Sequence, residues 1–193
     1  WAQYCGADFQ KKALLTQAGE KFAQAVRFEP DLADAWSNWG NTIACLADMI
    51  GDPESQRCLA ALADEKYRQA TTLDPNKATA WYNWGTLCLT QAELCDTAEE
   101  KSRYFSASSE KYAHAVSLDG SRVDFWYNWG IALAFWSETI THIGQKINLV
   151  AQAAEKFEQA AKLDPDDAGN WNNLGAIFNG WAQIVVNPEE KRS

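Results

Sequence analysis

Asparagine is the residue type whose spacing in this chain points most directly to chemistry. It recurs every 45 residues, at Asn38, Asn83, Asn128 and Asn173. A side-chain amide carries two N–H donors and a carbonyl acceptor, so it can bond to both polar atoms of one peptide unit. The column therefore predicts a surface that binds the backbone of a polypeptide. The alternative is that these amides satisfy backbone and loop groups of the chain itself.

Residues beside the asparagines differ between repeats, and such differences would select a partner. One column contains Ser37, Tyr82, Tyr127 and Asn172, and another contains Asn41, Thr86, Ile131 and Ala176. Tyr82 and Tyr127 can stack on a partner or hydrogen-bond to it, although they could equally be solvent-facing filler. The predicted partner-binding surface consists of Asn38, Asn83, Asn128, Asn173, Tyr82, Tyr127, Asn41 and Thr86.

Residues suited to catalysis or metal binding are sparse. The two histidines, His114 on the exposed side of a helix and His142 in a helix extension, have no repeated Ser, Cys or Asp companion. No phosphate-binding loop, dinucleotide fingerprint or HExxH motif occurs. The five cysteines include no CxxC pair. We therefore predict no catalytic residues, no enzymatic activity, no cofactor and no metal site.

Composition narrows the class of protein further. The 193 residues are 47% hydrophobic, with a formal net charge of −9, which disfavours a nucleic-acid partner. No run of about 18 apolar residues is present, so no membrane-spanning segment is predicted. The cysteines fall mostly in helical patterns, which favours an intracellular, reducing compartment, either the cytosol or an organelle interior. No targeting segment is visible, and the start at Trp1 suggests a fragment of a longer chain.

Two sequence blocks recur in phase and define the elements that position these residues. The first block is WSNWG at 36–40, WYNWG at 81–85 and 126–130, and WNNLG at 171–175. The second is AGEKFAQAV at 18–26, with counterparts at 63–71, 108–116 and 153–161. Apolar residues recur at steps of three and four in both, which predicts two helices per repeat. Pro30, Pro75 and Pro165 end the second helix, and Gly120 takes their place in one turn.

The helix faces suggest how each pair packs. Trp36 and Trp39 are three residues apart and share a face, and Gly40 leaves a gap that Tyr67 can fill. The Trp columns are therefore predicted to be core. The recurring Glu-Lys pairs are predicted to form a solvated face; they are Glu20-Lys21, Glu65-Lys66, Glu110-Lys111 and Glu155-Lys156.

This pattern resembles the tetratricopeptide-repeat family. The matching residues in one repeat are Trp36, Trp39, Gly40, Ala63, Tyr67, Ala70 and Pro75. The resemblance implies an all-α fold, a superhelical array of antiparallel helix pairs, with the first helices lining a concave surface. The family period is 34 residues, so the 11 extra residues are expected to lengthen both helices. We expect the turns inside each pair near Gly51–Pro53, Asp96–Glu99 and Ile143–Gln145.

The resemblance also implies a function. A similar asparagine column, in the repeat domain of O-linked N-acetylglucosamine transferase, holds extended peptide. We predict a protein-interaction scaffold or adaptor that binds a partner polypeptide in the concave groove. The columns contain no Lys or Arg, which disfavours the family's carboxylate-clamp function. The alternatives are a structural or assembly subunit of a larger complex, including an organellar one, and the repeat domain of a longer enzyme or regulator.

The register predicts the ends of the array. Residues 1–193 are expected to form a single repeat domain with about three full helix pairs and half-repeats at both ends. Trp1 aligns with Trp181, so it is expected in the middle of a first helix. The last helix is predicted at 171–185. Exposed repeat ends need a cap, so further repeats or a partner should cover Trp181, Ile184 and Val185.

Overall fold

A computed structural model describes the backbone of residues 2–186 and the side chains of residues 8–184. This range contains eight α-helices and no strand. The helices are α1 (Ala2–Phe28), α2 (Ala33–Asp48), α3 (Pro53–Leu73), α4 (Ala78–Glu93), α5 (Ala98–Leu118), α6 (Val123–Thr139), α7 (Ile143–Leu163) and α8 (Ala168–Val186). The first helices of the repeats are α2, α4, α6 and α8, and the second helices are α3, α5 and α7.

Each second helix begins at a side chain that caps its N-terminus. Asp52 Oδ2 accepts a hydrogen bond from Ser55 N at 2.9 Å, and Thr97 Oγ1 accepts one from Glu100 N at 3.2 Å. His142 Nδ1 accepts one from Gln145 N at 3.3 Å. The expected turn at Ile143–Gln145 is therefore wrong, because these residues form the first turn of α7. His142 likewise lies at a cap and not within a helix extension.

Helix α1 contains no such capping side chain at the position that corresponds to Asp52. It runs without a break from Ala2 to Phe28, through the positions that correspond to residues 51–53. The sequence has Ala at position 7, where the later repeats have Asp52, Thr97 and His142. Alanine has no side-chain acceptor for a helix N-terminus, so nothing in the sequence interrupts the helix here. The expectation for Trp1 lies outside the described residues.

A tryptophan fastens the turn that precedes each first helix. The indole N–H of Trp36, Trp81, Trp126 and Trp171 donates to the backbone carbonyl six residues earlier, at 2.8–2.9 Å. The acceptors are Pro30, Pro75, Gly120 and Pro165. Gly120 thus supplies the same carbonyl as the prolines, which explains why the glycine is compatible with this turn.

The chain divides into two compact units, Trp1–Leu87 and Cys88–Ser193. In the first, α2 packs against α1 and α3. Its core contains Ile43, Ala60, Ala63, Tyr67 and Leu87. A Cβ on Gly40 would lie 2.9 Å from Tyr67 Cε1, so the predicted gap is real and only glycine fits it without a shift.

In the second unit, α6 packs against α5 and α7, and α7 packs against α8. The core contains Leu133, Leu149, Ala153, Ala154, Phe157 and Leu174. Gly130 faces Phe157 as Gly40 faces Tyr67, again with 2.9 Å between a built Cβ and the ring. Half-buried Trp129 and Trp136 pack against this core, and their indole N–H groups donate to Ser109 Oγ and Ser102 Oγ on α5.

Candidate partner-binding surface

The predicted residues in the first unit form a group on α2 and α4. We call Asn38, Asn41, Tyr82, Asn83 and Thr86 the first asparagine patch. Asn41 is its centre, because its side-chain oxygen accepts hydrogen bonds from Tyr67 OH at 2.7 Å and from Asn83 Nδ2 at 2.9 Å. Asn38 and Thr86 are exposed, and Thr86 Oγ1 donates to the Tyr82 carbonyl at 3.2 Å.

Tyr67 on α3 orients the Asn41 side chain at the centre of this patch. The side chain is almost fully buried in the α2–α3 core. Burial raises the pKa of the Tyr67 hydroxyl, because the phenolate would be poorly solvated there. A tyrosine hydroxyl is protonated at neutral pH in any case, so it donates to the Asn41 oxygen and holds it in the position that Asn83 also uses.

The predicted residues in the second unit form a group on α6 and α8. We call Tyr127, Asn128 and Asn173 the second asparagine patch. Asn173 Nδ2 donates to Tyr127 OH at 2.8 Å, and the Tyr127 ring packs edge-on against Phe157 with centroids 5.8 Å apart. Asn128 Nδ2 donates to the Asp124 carbonyl at 2.9 Å, one helical turn earlier. All three side chains are half-buried.

The two patches hold their asparagines by different partners. Position 41 corresponds to Ile131, and position 67 corresponds to Phe157, 90 residues later in each case. The Tyr67–Asn41 bond of the first unit is thus replaced by an apolar pair in the second. Since Ile131 offers no acceptor, Asn173 bonds to Tyr127 instead. The asparagine thus recurs at the same repeat position, whereas the side chain that accepts its hydrogen bond differs between the two units.

The geometry leaves both patches with amide chemistry to offer a partner. Asn83 and Asn173 each use one N–H in the bonds described, and the Asn173 side-chain oxygen also accepts a bond of 3.5 Å from Asn172 Nδ2. An amide has a second N–H, and its oxygen has two acceptor sites. The amides therefore combine the two roles considered for the column. They form hydrogen bonds within the chain, and they are partly exposed to a partner. Ser37 is buried, so it does not line this surface.

Two lysines have a role that the sequence analysis missed. Lys66 Nζ lies 4.4 Å from the Trp39 ring centroid, and Lys156 Nζ lies 4.2 Å from that of Trp129. Lys156 is only 8% exposed, so its prediction as part of a solvated face is wrong. The cations pack on stacked tryptophan pairs because an aromatic face attracts a positive charge. The sequence feature that could have predicted these contacts is the constant spacing of 30 residues from Trp36 to Lys66 and from Trp126 to Lys156.

The structure also shows where the histidine and cysteine side chains lie. His114 is exposed on α5. Cys45, Cys58, Cys88 and Cys95 form no disulfide with one another, and Cys5 lies outside the described side chains. Within the part of the chain that the structure describes, no group of three His, Cys, Asp or Glu could hold a metal ion. No helix in that part is long and apolar enough to cross a membrane.

Comparison with known proteins identifies the fold. A crystal structure of MamA superposes with a TM-score of 0.63 over 94% of this chain and 88% of that chain, at 17% identity. MamA 41-end from Desulfovibrio magneticus RS-1 gives a TM-score of 0.58 over 91% and 89%, at 14% identity. Pseudomonas aeruginosa PilF gives 0.56 over 93% and 72%, at 18% identity. MamA and PilF are tetratricopeptide-repeat proteins.

This chain has a tetratricopeptide-repeat fold. The predicted all-α array of helix pairs and the predicted resemblance are confirmed. No family model and no curated protein sequence matches the chain. The identities to the solved structures are low, so the likeness concerns the fold and not the partner.

Proposed function

We propose that this chain is a protein-interaction scaffold whose two asparagine patches hold the backbone of extended partner segments. The observation that carries the proposal is that Asn83 and Asn173 are each held from a neighbouring helix, by Asn41 and by Tyr127. A side chain that is already ordered loses little entropy on binding. Its remaining N–H and carbonyl match the two polar atoms of a peptide unit.

The chemistry of the patches limits the partner. They contain no Lys or Arg, so they have no charged donor for a carboxylate or a phosphate. The chain carries a formal net charge of −9, which favours neutral or basic segments in the encounter. We therefore infer that the partner is an uncharged or basic polypeptide, recognised through its main chain.

Peptide selection followed by affinity measurement tests this proposal. Nine-residue peptides displayed on phage are selected against the full chain, and a selected peptide is measured by fluorescence anisotropy. Asn83→Ala and Asn173→Ala should each weaken binding by about threefold to tenfold, the value of one hydrogen bond. Asn148→Ala, at an exposed position on α7, is the matched control and should leave the affinity unchanged.

A second experiment changes the backbone of the peptide and not the protein. N-methylation of one central peptide amide removes a donor, so it should weaken binding more than alanine replacement of the same side chain. Circular dichroism checks that each variant is folded. Unchanged affinity in both asparagine variants, with the fold intact, would reject the role of the patches.

A second candidate function, assembly into a larger complex, is favoured by the outer face of α8. Phe178 is 46% exposed and stacks on Trp181 with ring centroids 6.3 Å apart. Trp171 is also exposed, and Trp181 and Ile184 are half-buried, whereas the Val185 side chain lies outside the described residues. We propose that this face takes an amphipathic helix of a partner chain, packed as α7 packs on α6.

A peptide with the sequence of α7, residues 143–163, is the probe for this face. Its fluorescently labelled form should bind saturably to the full chain, and Phe178→Ser should weaken binding at least about tenfold because a large exposed aromatic contact is lost. Phe28→Ser, at an exposed apolar position outside this face, is the control. Equal binding by the Phe178→Ser variant would exclude the assembly face.

A further inference from the structure

An open cavity with a mixed polar and apolar lining lies in the second unit, beside the turn between α4 and α5. Its volume is about 500 Å³, and the end of α6 closes one side. Two aromatic rings form its apolar wall: Phe105 is buried, while Phe135 is 40% exposed. Their centroids are 6.2 Å apart. The volume is in the range of pockets that hold a small ligand or a large side chain.

Acidic side chains surround the opening. Glu93, Asp96 and Glu138 line the cavity and are exposed, and Lys101 is the one basic residue in its lining. Three carboxylates against one ammonium group leave a formal charge of −2 at the cavity. A cluster of one sign of charge raises the local concentration of the opposite ion, so this opening attracts cations.

We propose that this cavity binds the side chain of an arginine in the partner segment. This inference rests on the proposed function, since it assigns a specificity element to the same scaffold. An arginine has an apolar stem that packs on an aromatic wall and a charged head that stays near water. Its planar guanidinium also stacks on a ring such as Phe135 and bonds in a fork to carboxylates. Lysine offers no such plane.

The cavity lies on the path of a segment held by the second asparagine patch. Phe135 follows Asn128 by seven residues on α6, so the two positions share a helix face, about 10 Å apart along the axis. An extended segment covers this distance with about three residues. The favoured partner therefore carries an arginine about three residues from the peptide unit that lies opposite Asn128.

The aromatic wall is specific to this repeat. The positions 45 residues before and after Phe135 are Thr90 and Gly180, and those around Phe105 are Ala60 and Val150. The asparagine column, in contrast, recurs in every first helix. Recognition of the main chain is thus a repeated property, whereas recognition of the arginine belongs to one position along the array.

Small amides test the cavity without engaging a long segment. The probes are N-acetyl-L-arginine methylamide and its citrulline counterpart, which has nearly the same shape and no charge. NMR follows the ring signals of Phe105 and Phe135 in the full chain. The arginine probe should shift them saturably, and the citrulline probe should bind at least about tenfold more weakly, because charge-assisted contacts are lost.

Variants locate the binding. Phe135→Thr, which introduces the residue of position 90, and Glu138→Gln should each weaken the arginine probe about fivefold or more. Glu110→Gln, at an exposed position of α5 outside the cavity, should not. A third probe, N-acetyl-L-lysine methylamide, has a charge but no planar head and should bind more weakly than the arginine probe. Equal binding of the citrulline or lysine probe, or absence of saturable shifts, would each overturn the assignment.

The outcomes also separate this inference from the proposed function. Asn83→Ala and Asn173→Ala should weaken the selected peptides but leave the affinity for the arginine probe unchanged. If peptides depend on the asparagines while the probe does not bind, only the arginine cavity is rejected. If the probe binds while peptides ignore the asparagines, the cavity stands and main-chain recognition is rejected.

Discussion

Helices α6 and α8 have matching sequence columns and opposite surroundings. Leu133 on α6 is 1% exposed, whereas Phe178, 45 residues later on α8, is 46% exposed. Gly130 faces the Phe157 ring, whereas a Cβ on Gly175 would meet no atom within 4 Å. The difference arises because α7 packs against the α6 face, while no described residue covers the same face of α8. A core-type sequence is therefore not sufficient for burial.

The largest expected effect contrasts the two apolar positions. Leu133→Ala should lower the free energy of unfolding by about 2–5 kcal/mol, because it removes buried methyl groups and leaves a cavity. Phe178→Ala should lower it by less than about 1 kcal/mol, because the ring already contacts solvent. Urea unfolding followed by circular dichroism measures both. Equal losses would mean that α8 is covered in solution.

The two glycines give the next effect. Gly130→Ala should destabilise the chain by about 1–3 kcal/mol, because the new methyl group meets the Phe157 ring. Gly175→Ala has open space, and alanine favours a helix over glycine by up to about 1 kcal/mol, so stability should stay the same or rise. Thermal unfolding of the two variants compares them directly. A loss at position 175 similar to that at 130 would contradict the structure.

Removal of a buried amide at the start of α8 should raise the free energy of unfolding, whereas the substitutions at Leu133 and Gly130 should lower it. Asn170 is 0% exposed, and neither of its side-chain polar atoms has a hydrogen-bond partner. The equivalent positions hold Ala35, Ala80 and Phe125. Asn170→Ala should therefore stabilise the chain by about 1 kcal/mol, since an unpaired buried amide is costly.

Asn148→Ala on the exposed side of α7 is the control for this substitution. Its unfolding free energy should stay within about 0.5 kcal/mol of the original chain. A lower urea midpoint for Asn170→Ala than for this control would show that Asn170 has partners in solution.

The smallest effect concerns the helix caps of the two units. The hydrogen bonds from the Ser55 hydroxyl and backbone N–H hold the pKa of Asp52 below its ordinary value. Its contribution to stability is therefore present above the ordinary carboxyl pKa of about 3.9 and is lost as pH falls through the lowered value. Asp52→Asn should flatten the loss of unfolding free energy between about pH 4 and pH 2. Thr97→Ser, an uncharged cap in the second unit, should leave the pH profile unchanged.

The sequence pattern was a reliable guide to the helices and a partial guide to the surface. Pro30, Pro75 and Pro165 located the ends of the second helices, because proline cannot continue a helix. Asn38, Asn83, Asn128 and Asn173 were identified by their period alone. Their hydrogen bonds to Asn41 and Tyr127 could not be predicted, because they depend on which side chain of the neighbouring helix lies opposite.

Two errors show the same limit. His142 was assigned to a helix extension, although an imidazole with a neutral nitrogen can accept a cap bond as Asp52 does. Lys156 was assigned to solvent, although it packs on Trp129 across the helix pair. In each case the residue type permits two environments, and the sequence pattern did not choose between them. The cap bond of His142 is local, whereas the position of Lys156 depends on Trp129 of a neighbouring helix.

By itself, the sequence determined the number of helices in each repeat, the turns between repeats and the columns of residues that could meet. These depend on local properties, namely apolar periodicity, proline and glycine, which act within a few residues. Only the tertiary structure decided which of these columns is buried. Burial requires a neighbouring helix to exclude water, so the same motif forms core on α6 and exposed surface on α8.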